Sequence, residues 1–371
     1  MTVMIAARAY QSSNRLQLET IPVPEPGPHD VLVKVAAAGI APGMMRLLEN
    51  GRFKHLPTTP GHEIAGTVSA IGAQVEGVML GQRVRVHPIL ACGRCEYCMS
   101  DREQMCAETA MMGHAAFGRG PMPLYERYHD GGLAEYVRVP ARLVDVLPDH
   151  VSFAVGAKVH DLANAVRALK CAALPATSGR LVITAPTGTM GTATIKLAKF
   201  YGARELVLVG RSAERLESLR QLAGGLPVQI VAFDTLAAGW ESTQGLTSRI
   251  NEILPMGADA VIDYLPEGPG TAQACAAMAI GGTLVHMGGN HSSLPFPIRV
   301  IMHNCWRIVG TRSCTRSDTS AVLDLLKSGE LAAEDLITHR FALAQINEAL
   351  AATGSRREPM WMTVVHPTGS F

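Results

Sequence analysis

The sequence predicts an α/β protein in two parts, a β-rich domain and a doubly wound parallel sheet, on three observations. Residues 181–217 read as a short apolar strand, a glycine-bearing turn, a helix and a second strand, the βαβ unit that sets a helix N-terminus against a pyrophosphate. Beyond it, strand-like runs recur at 229–231, 260–263 and 282–285 with βα alternation, the repeat of a parallel sheet. Ahead of it, residues 67–86 break into short runs at Gly72, Gly77 and Gly81, which suits strands joined by turns.

In chain order, residues 1–35 alternate extended runs with the proline-rich break IPVPEPGPHD, and 30–35 read as a strand. After 36–49 and a loop through 53–60 comes Gly61-His62-Glu63-Ile64-Ala65-Gly66. Four of the eight cysteines then crowd together as Cys92-x2-Cys95-x2-Cys98-x7-Cys106, while Cys171, Cys275, Cys305 and Cys314 are scattered. Clustered cysteines in a long chain without a secretory leader point to metal rather than disulfides, and four thiolates on a glycine-punctuated loop can wrap one tetrahedral ion. One structural zinc per chain, on Cys92, Cys95, Cys98 and Cys106, is the expectation. The Gly, Pro and Met-rich stretch 111–122 reads as a loop, 131–137 restarts a strand, and 152–169 reads as a helix. The expected division is a catalytic domain over 1–160, a cofactor domain over 161–305, and a segment, 306–371, that returns to the first domain with a helix at 319–327 and a strand at 361–365.

The cradle departs from the G-x-G-x-x-G pattern only at its first position. Its frame is Pro186-Thr187-Gly188-Thr189-Met190-Gly191, with glycine kept at Gly188, where backbone nears the phosphates, and at Gly191, where helix packs on strand. Gly202 follows the helical pattern where a C-terminus wants positive φ. The second strand ends Val209-Gly210-Arg211-Ser212, with Arg215 one turn on. No carboxylate stands there for a ribose 2′-hydroxyl, whereas a guanidinium and a hydroxyl suit a 2′-phosphate. NADPH is therefore the expected cofactor, bound by Gly188, Thr189, Met190, Gly191, Gly210, Arg211, Ser212 and Arg215. The alternative for Arg211 and Arg215 is a solvated helix start.

With 371 residues, 47% of them hydrophobic, the chain has material for a sizeable core. Its net charge of +1 and the lack of a basic stripe argue against a nucleic-acid or polyanion binder. The opening MTVMIAARAYQ lacks the charged start and apolar core of a signal peptide, and no apolar run reaches the length of a membrane span. A soluble, cytoplasmic protein with a small-molecule substrate, and with no nucleic acid or membrane as partner, is expected.

Together these residues resemble the medium-chain dehydrogenase/reductases, in the zinc-containing alcohol dehydrogenase branch. The likeness rests on Gly61-His62-Glu63 through Gly66, the four-cysteine lobe, GGLAEYV at 131–137 and the cradle, and it runs essentially the length of the chain. It implies a GroES-like β-rich catalytic domain built from both chain ends around a Rossmann domain. A homo-oligomer, dimer or tetramer, paired through the cofactor domains is implied as well. By the same resemblance His62 and His160 fall on ligand positions of a catalytic zinc, Asn164 falls beside the nicotinamide, and Arg316 lies where family members often touch the cofactor.

At that catalytic metal the chain departs from the family. Where the family carries Cys-Gly-Thr/Ser-Asp-x-His, this chain has Ala41-Pro42-Gly43-Met44-Met45-Arg46, so Ala41, Gly43 and Arg46 replace the cysteine ligand, the relay hydroxyl and the relay histidine. His62, Glu63 and His160 are still acceptable zinc donors with water in the fourth place. In the family, however, the glutamate stands back from the metal, and Arg46 adds positive charge near a dication. An active site without zinc is therefore expected, in which His62, His160 and Asp161 supply a proton and Arg46 holds an anionic group or the cofactor phosphate. Such a site suits an NADPH-dependent reductase of an activated C=C, C=N or carbonyl in a small to medium organic substrate. A zinc-dependent alcohol dehydrogenase using His62, Glu63 and His160 is the alternative, and a non-catalytic NADPH-binding protein a second one. His114, His129 and Asp130 are placed in a loop at the cleft rim, and Met44, Met45, Met111 and Met112 in an adaptable apolar wall. Gly281, Gly282, Gly288 and Gly289 flank a strand whose carboxyl end approaches the nicotinamide.

Overall fold

In the computed structural model, which describes residues 2–11, 13–116, 118–355 and 359–369, the strand Asp30–Ile40 is the spine of the first unit. Phe117, within the stretch expected to be a loop, lies outside the described residues. The first half of the spine pairs antiparallel with Tyr136–Pro140 and its last residues with Met362–His366, while Glu63–Ile71 lies along its other edge. Arg83–Val86 and Val144–Val146 extend the sheet on one side, and Ile337–Ala342 joins Met362–His366 in parallel on the other. Both chain ends thus meet in one sheet, and the unit consists of Met1–His160 with Thr315–Phe371.

The inward residues Val31, Val33, Val35, Ile64, Val68, Val84, Val137, Val139 and Val365 form its main core, as the period-two alternation requires. The helix Pro42–Glu49, started by a proline that needs no N–H partner, adds Met44, Met45 and Leu48 to that core. The stretch 111–122 is not all loop. Ile89–Leu90, Ala110–Met111 and Ala115–Ala116 form a small antiparallel sheet.

The second unit, Asp161–Cys314, is a six-stranded parallel sheet. Its strand order is Val228–Ala232, Glu205–Gly210, Arg180–Thr184, Ala258–Asp263, Met278–His286 and Arg307–Gly310. The two halves diverge from the cradle strand Arg180–Thr184, the pattern of a doubly wound sheet. The expected boundary at 305/306 moves to Cys314/Thr315, because Arg307–Gly310 pairs with Met278–His286 and so belongs to this sheet. Asp259 accepts from Arg180 through Nε at 3.1 Å and Nη2 at 2.7 Å, a two-point link between the entrances of two adjacent strands. The helix Phe153–Ala172 begins in the first unit and ends in the second. Among the described residues no helix is long and apolar enough to cross a membrane.

Candidate active site

His62 and Glu63 are placed by Gly61, whose φ of +100° is open to glycine and which lies so close to Leu133 that a Cβ would crowd it. Glu63 opens its strand opposite Gly39, and a side chain at Gly39 would run into Glu63 and Lys158. That missing side chain makes room for a buried ion pair. Lys158 Nζ donates to Glu63 Oε2 at 2.5 Å, and both residues are fully buried. Two charges taken out of water persist only as a pair, so each fixes the other's state.

Three imidazoles surround this pair. The His62 ring lies 4.7 Å from that of His114 and 5.1 Å, edge-on, from that of His160, and all three side chains are buried. His62 Nε2 is 3.7 Å from Glu63 Oε1, beyond hydrogen-bond range, and His62 Nδ1 is buried without a hydrogen-bond partner among the described residues. Burial, and then the charge of Lys158, pushes His62 down to about 3. Burial is the first cause that holds His114 and His160 well below the usual imidazole value, and for His160 nearby charges, those of Arg85 and Lys158 among them, add to it. The histidines are therefore neutral at pH 7. The charge felt at His62 is that of Lys158.

Other expected residues sit elsewhere. Arg46 stands on the exposed side of Pro42–Glu49, away from the buried Met44, Met45 and Leu48. His114 is not at a rim but packed on His62. Asp130 is taken up by Arg8 Nη1 at 2.7 Å and by the Thr59 backbone at 2.7 Å, and His129 stacks on His55 at 3.6 Å. Asp161, buried, and Asn164, partly buried, follow His160 on the same helix and fall in the second unit. Lys158 was missed by sequence reasoning, although a lysine inside the apolar run FAVGAKVHDLANAV was a visible signal.

The cysteine lobe fits a metal ion. The sulfurs of Cys92, Cys95, Cys98 and Cys106 all lie within 4.8 Å of one another, the one such donor group among the described residues. Backbone N–H groups of Gly93 and Glu108 reach Cys98 at 3.3 Å and Cys106 at 3.4 Å. Burial pushes the Cys98 and Cys106 thiols up, so four thiolates together call for a dication. Bound zinc would supply a tetrahedral cross-link there and no chemistry, since all four positions are filled by protein. His62, Glu63 and His160 do not gather into a comparable group.

In the cradle, the helix Thr189–Leu197 begins at Gly188, which brings no side-chain cap, and a helix N-terminus of this kind favours an anion. The helix tightens to a 3-10 turn at Ala198–Tyr201 and stops at Gly202, φ +87°. A Cβ at Gly191 would collide with the backbone of Pro186. Gly191→Ala is accordingly expected to weaken nicotinamide dinucleotide binding by at least about tenfold, measured by nucleotide fluorescence titration. Ser212 caps the helix Ala213–Glu217 by accepting from the Arg215 backbone, while Arg211 is exposed beside it. Asp234, overlooked in the sequence, receives the Ala213 N–H at 3.3 Å at the same helix start. Arg316 lies in the first unit, where its guanidinium pairs with Asp145 at 2.5 and 3.2 Å.

Comparison with known proteins agrees with this geometry. Residues 27–149 match the alcohol dehydrogenase GroES-like domain and residues 189–328 the zinc-binding dehydrogenase domain. "Probable D-xylulose reductase A" of Aspergillus fumigatus is 30% identical over 333 residues, covering 88% of this chain and 87% of that protein. The chain belongs to the medium-chain dehydrogenase/reductase family, in its zinc-containing alcohol dehydrogenase branch. Sorbitol dehydrogenase of Pongo abelii, another relative, is 28% identical over 340 residues, 90% of this chain and 88% of its own. Among solved structures, a protein of Sinorhizobium meliloti 1021 described as a zinc-binding dehydrogenase and bound to NADP superposes with a TM-score of 0.83 at 25% identity, covering 99% of this chain and all of that one. A thermostable alcohol dehydrogenase of Pyrobaculum aerophilum with cobalt and zinc bound shares the fold, with a TM-score of 0.80 at 23% identity over 99% of this chain and 100% of its own. The protein is thus an oxidoreductase of this family, with the GroES-like and Rossmann parts that family implies.

Proposed function

We propose that this dehydrogenase-family chain is an NADPH-dependent reductase that works without a catalytic zinc. The observation that carries this reading is the Lys158–Glu63 pair. The carboxylate that would face a dication is already neutralised by an internal ammonium, and Ala41 offers no donor atom. A dication in the same pocket would meet the charge of Lys158 at close range. These donors do not fit a catalytic zinc.

Bound NADPH would supply a hydride to the electrophilic carbon of the substrate, and the partner atom of the double bond would take the balancing proton from solvent. His62, neutral and with Nδ1 unpaired, supports a role as hydrogen-bond donor to that partner atom, as a neutral imidazole polarises a carbonyl. Burial, with the charge of Lys158, keeps it neutral. Among activated C=C, C=N and carbonyl substrates, the names of the relatives favour the carbonyl of a small hydroxylated ketone.

Arg211, exposed where the second strand ends, supports NADPH over NADH. The test is a titration with both nucleotides, followed by turnover on a panel of ketones, enones and imines. NADPH is expected to bind at least about tenfold more tightly, and Arg211→Ala to remove most of that difference without weakening NADH. Equal affinity for the two in the wild type, or no oxidation of NADPH by any substrate, contradicts the proposal. The edge strand Arg307–Gly310, with exposed Ile308 and with Ile298 and Met302 exposed on the helix before it, supports a homo-oligomer joined through the cofactor units.

A further inference from the structure

The carboxyl edge of the parallel sheet carries a polar cluster that the proposed chemistry leaves unused. Thr184, Asp263 and His286 are the last residues of three adjacent strands, and Asp263 and His286 are register partners. Asp263 is fully buried. Its Oδ1 accepts from the Thr184 hydroxyl at 2.5 Å, and its Oδ2 from the Thr271 hydroxyl at 3.0 Å and from His286 Nδ1 at 2.7 Å. Asn290 Nδ2 in turn donates to Thr271 at 2.9 Å.

A buried carboxylate that accepts at Nδ1 fixes both the tautomer and the tilt of an imidazole. The His286 side chain is 31% exposed, and its Nε2 makes no hydrogen bond to a described residue. The bond to Asp263 also holds His286 above its ordinary value, which favours a proton on Nε2 as well. The result is an oriented imidazole at the end of a strand, built on a hydrogen-bonded carboxylate, with Nε2 uncommitted among the described residues.

In a sheet of this strand order, the half that begins at the cradle takes the adenosine side, and ligands lie beyond the carboxyl ends of the strands. The other half, Ala258–Asp263, Met278–His286 and Arg307–Gly310, then faces the nicotinamide nucleotide. The geometry points to His286, aimed by Asp263, as the contact that holds the nicotinamide-ribose half of the dinucleotide, its Nε2–H donating to an oxygen of that half. The assignment rests on the dinucleotide reading of the cradle and adds a residue to it. A structural histidine would have both nitrogens committed within the sheet; here only Nδ1 is.

The test compares wild type and His286→Phe in titrations with NADPH and with 2′,5′-ADP, which carries the adenosine half alone. NADPH binding is expected to weaken at least about tenfold in the variant, and 2′,5′-ADP to change less than about twofold. Equal weakening of both ligands, or no change in either, overturns the assignment. A second measurement needs no variant: diethyl pyrocarbonate labelling of His286 in the wild type, read by peptide mass spectrometry. Protection by NADPH but not by 2′,5′-ADP is expected, and equal labelling with the two overturns the assignment. Wild-type protein that binds neither nucleotide overturns the cofactor reading itself, a failure distinct from that of His286.

Discussion

Lys158→Met is expected to lower folding stability by about 3–5 kcal/mol, because it strands the fully buried Glu63 carboxylate without its ammonium partner. Urea unfolding measures this directly. The double variant Glu63→Leu/Lys158→Met is expected to regain most of the loss, since replacing both members of a buried pair by apolar groups is close to neutral. Activity should part from stability at this point. The charge of Lys158 is felt at His62, where it helps hold the imidazole neutral, and the double variant lacks it. Hydride transfer in the refolded double variant is expected to stay at least about a hundredfold below wild type. A single variant that unfolds within about 1 kcal/mol of wild type would show that Glu63 is neutralised by something other than Lys158.

The second large effect is acid sensitivity. His62, His87, His114 and His160 are all buried, and burial is the first cause of the low pKa of each. The unfolded chain takes up these protons below its ordinary value of about 6.5, whereas the folded chain refuses them, in the case of His62 until about pH 3. The unfolded state then binds more protons, so stability falls as pH drops from 6.5 and is retained above it. Each such imidazole lowers the folding constant by about tenfold per pH unit in that window, and four together approach four decades. Urea midpoints measured between pH 7.5 and 4.5, a span chosen to bracket about 6.5, should fall steeply below the upper third of the range. His87→Gln, which lies off the proposed catalytic cluster, should flatten the slope by one proton. A midpoint that stays level across the range contradicts the neutral, buried state of the cluster.

What the sequence disclosed follows from how local each signal is. The cradle lies within one βαβ unit, and the four cysteines within fifteen residues, so spacing alone placed them. The strand–turn pattern gave the β-rich unit, although the segment 111–122 hid two short strands. The side-chain pairings that fix the catalytic unit are long-range. Lys158 meets Glu63 across 95 residues and Arg316 meets Asp145 across 171, and neither partner marks the other in the linear sequence. His114 was placed at a rim because its Gly, Pro and Met-rich stretch reads as a loop, yet the turn at Gly113, φ +84°, carries it inward onto His62. Protonation was the least legible property, since it depends on burial and on Lys158 rather than on residue type.

The most direct test of the central claim is the zinc content of the purified, dialysed protein, measured by plasma mass spectrometry together with its Cys92→Ser/Cys95→Ser and His160→Ala variants. One zinc per chain is expected, lost with the two cysteines and unchanged by His160→Ala. Two zinc ions per chain, with the second lost in His160→Ala along with activity, would contradict it and make the pocket around His62 a metal centre after all.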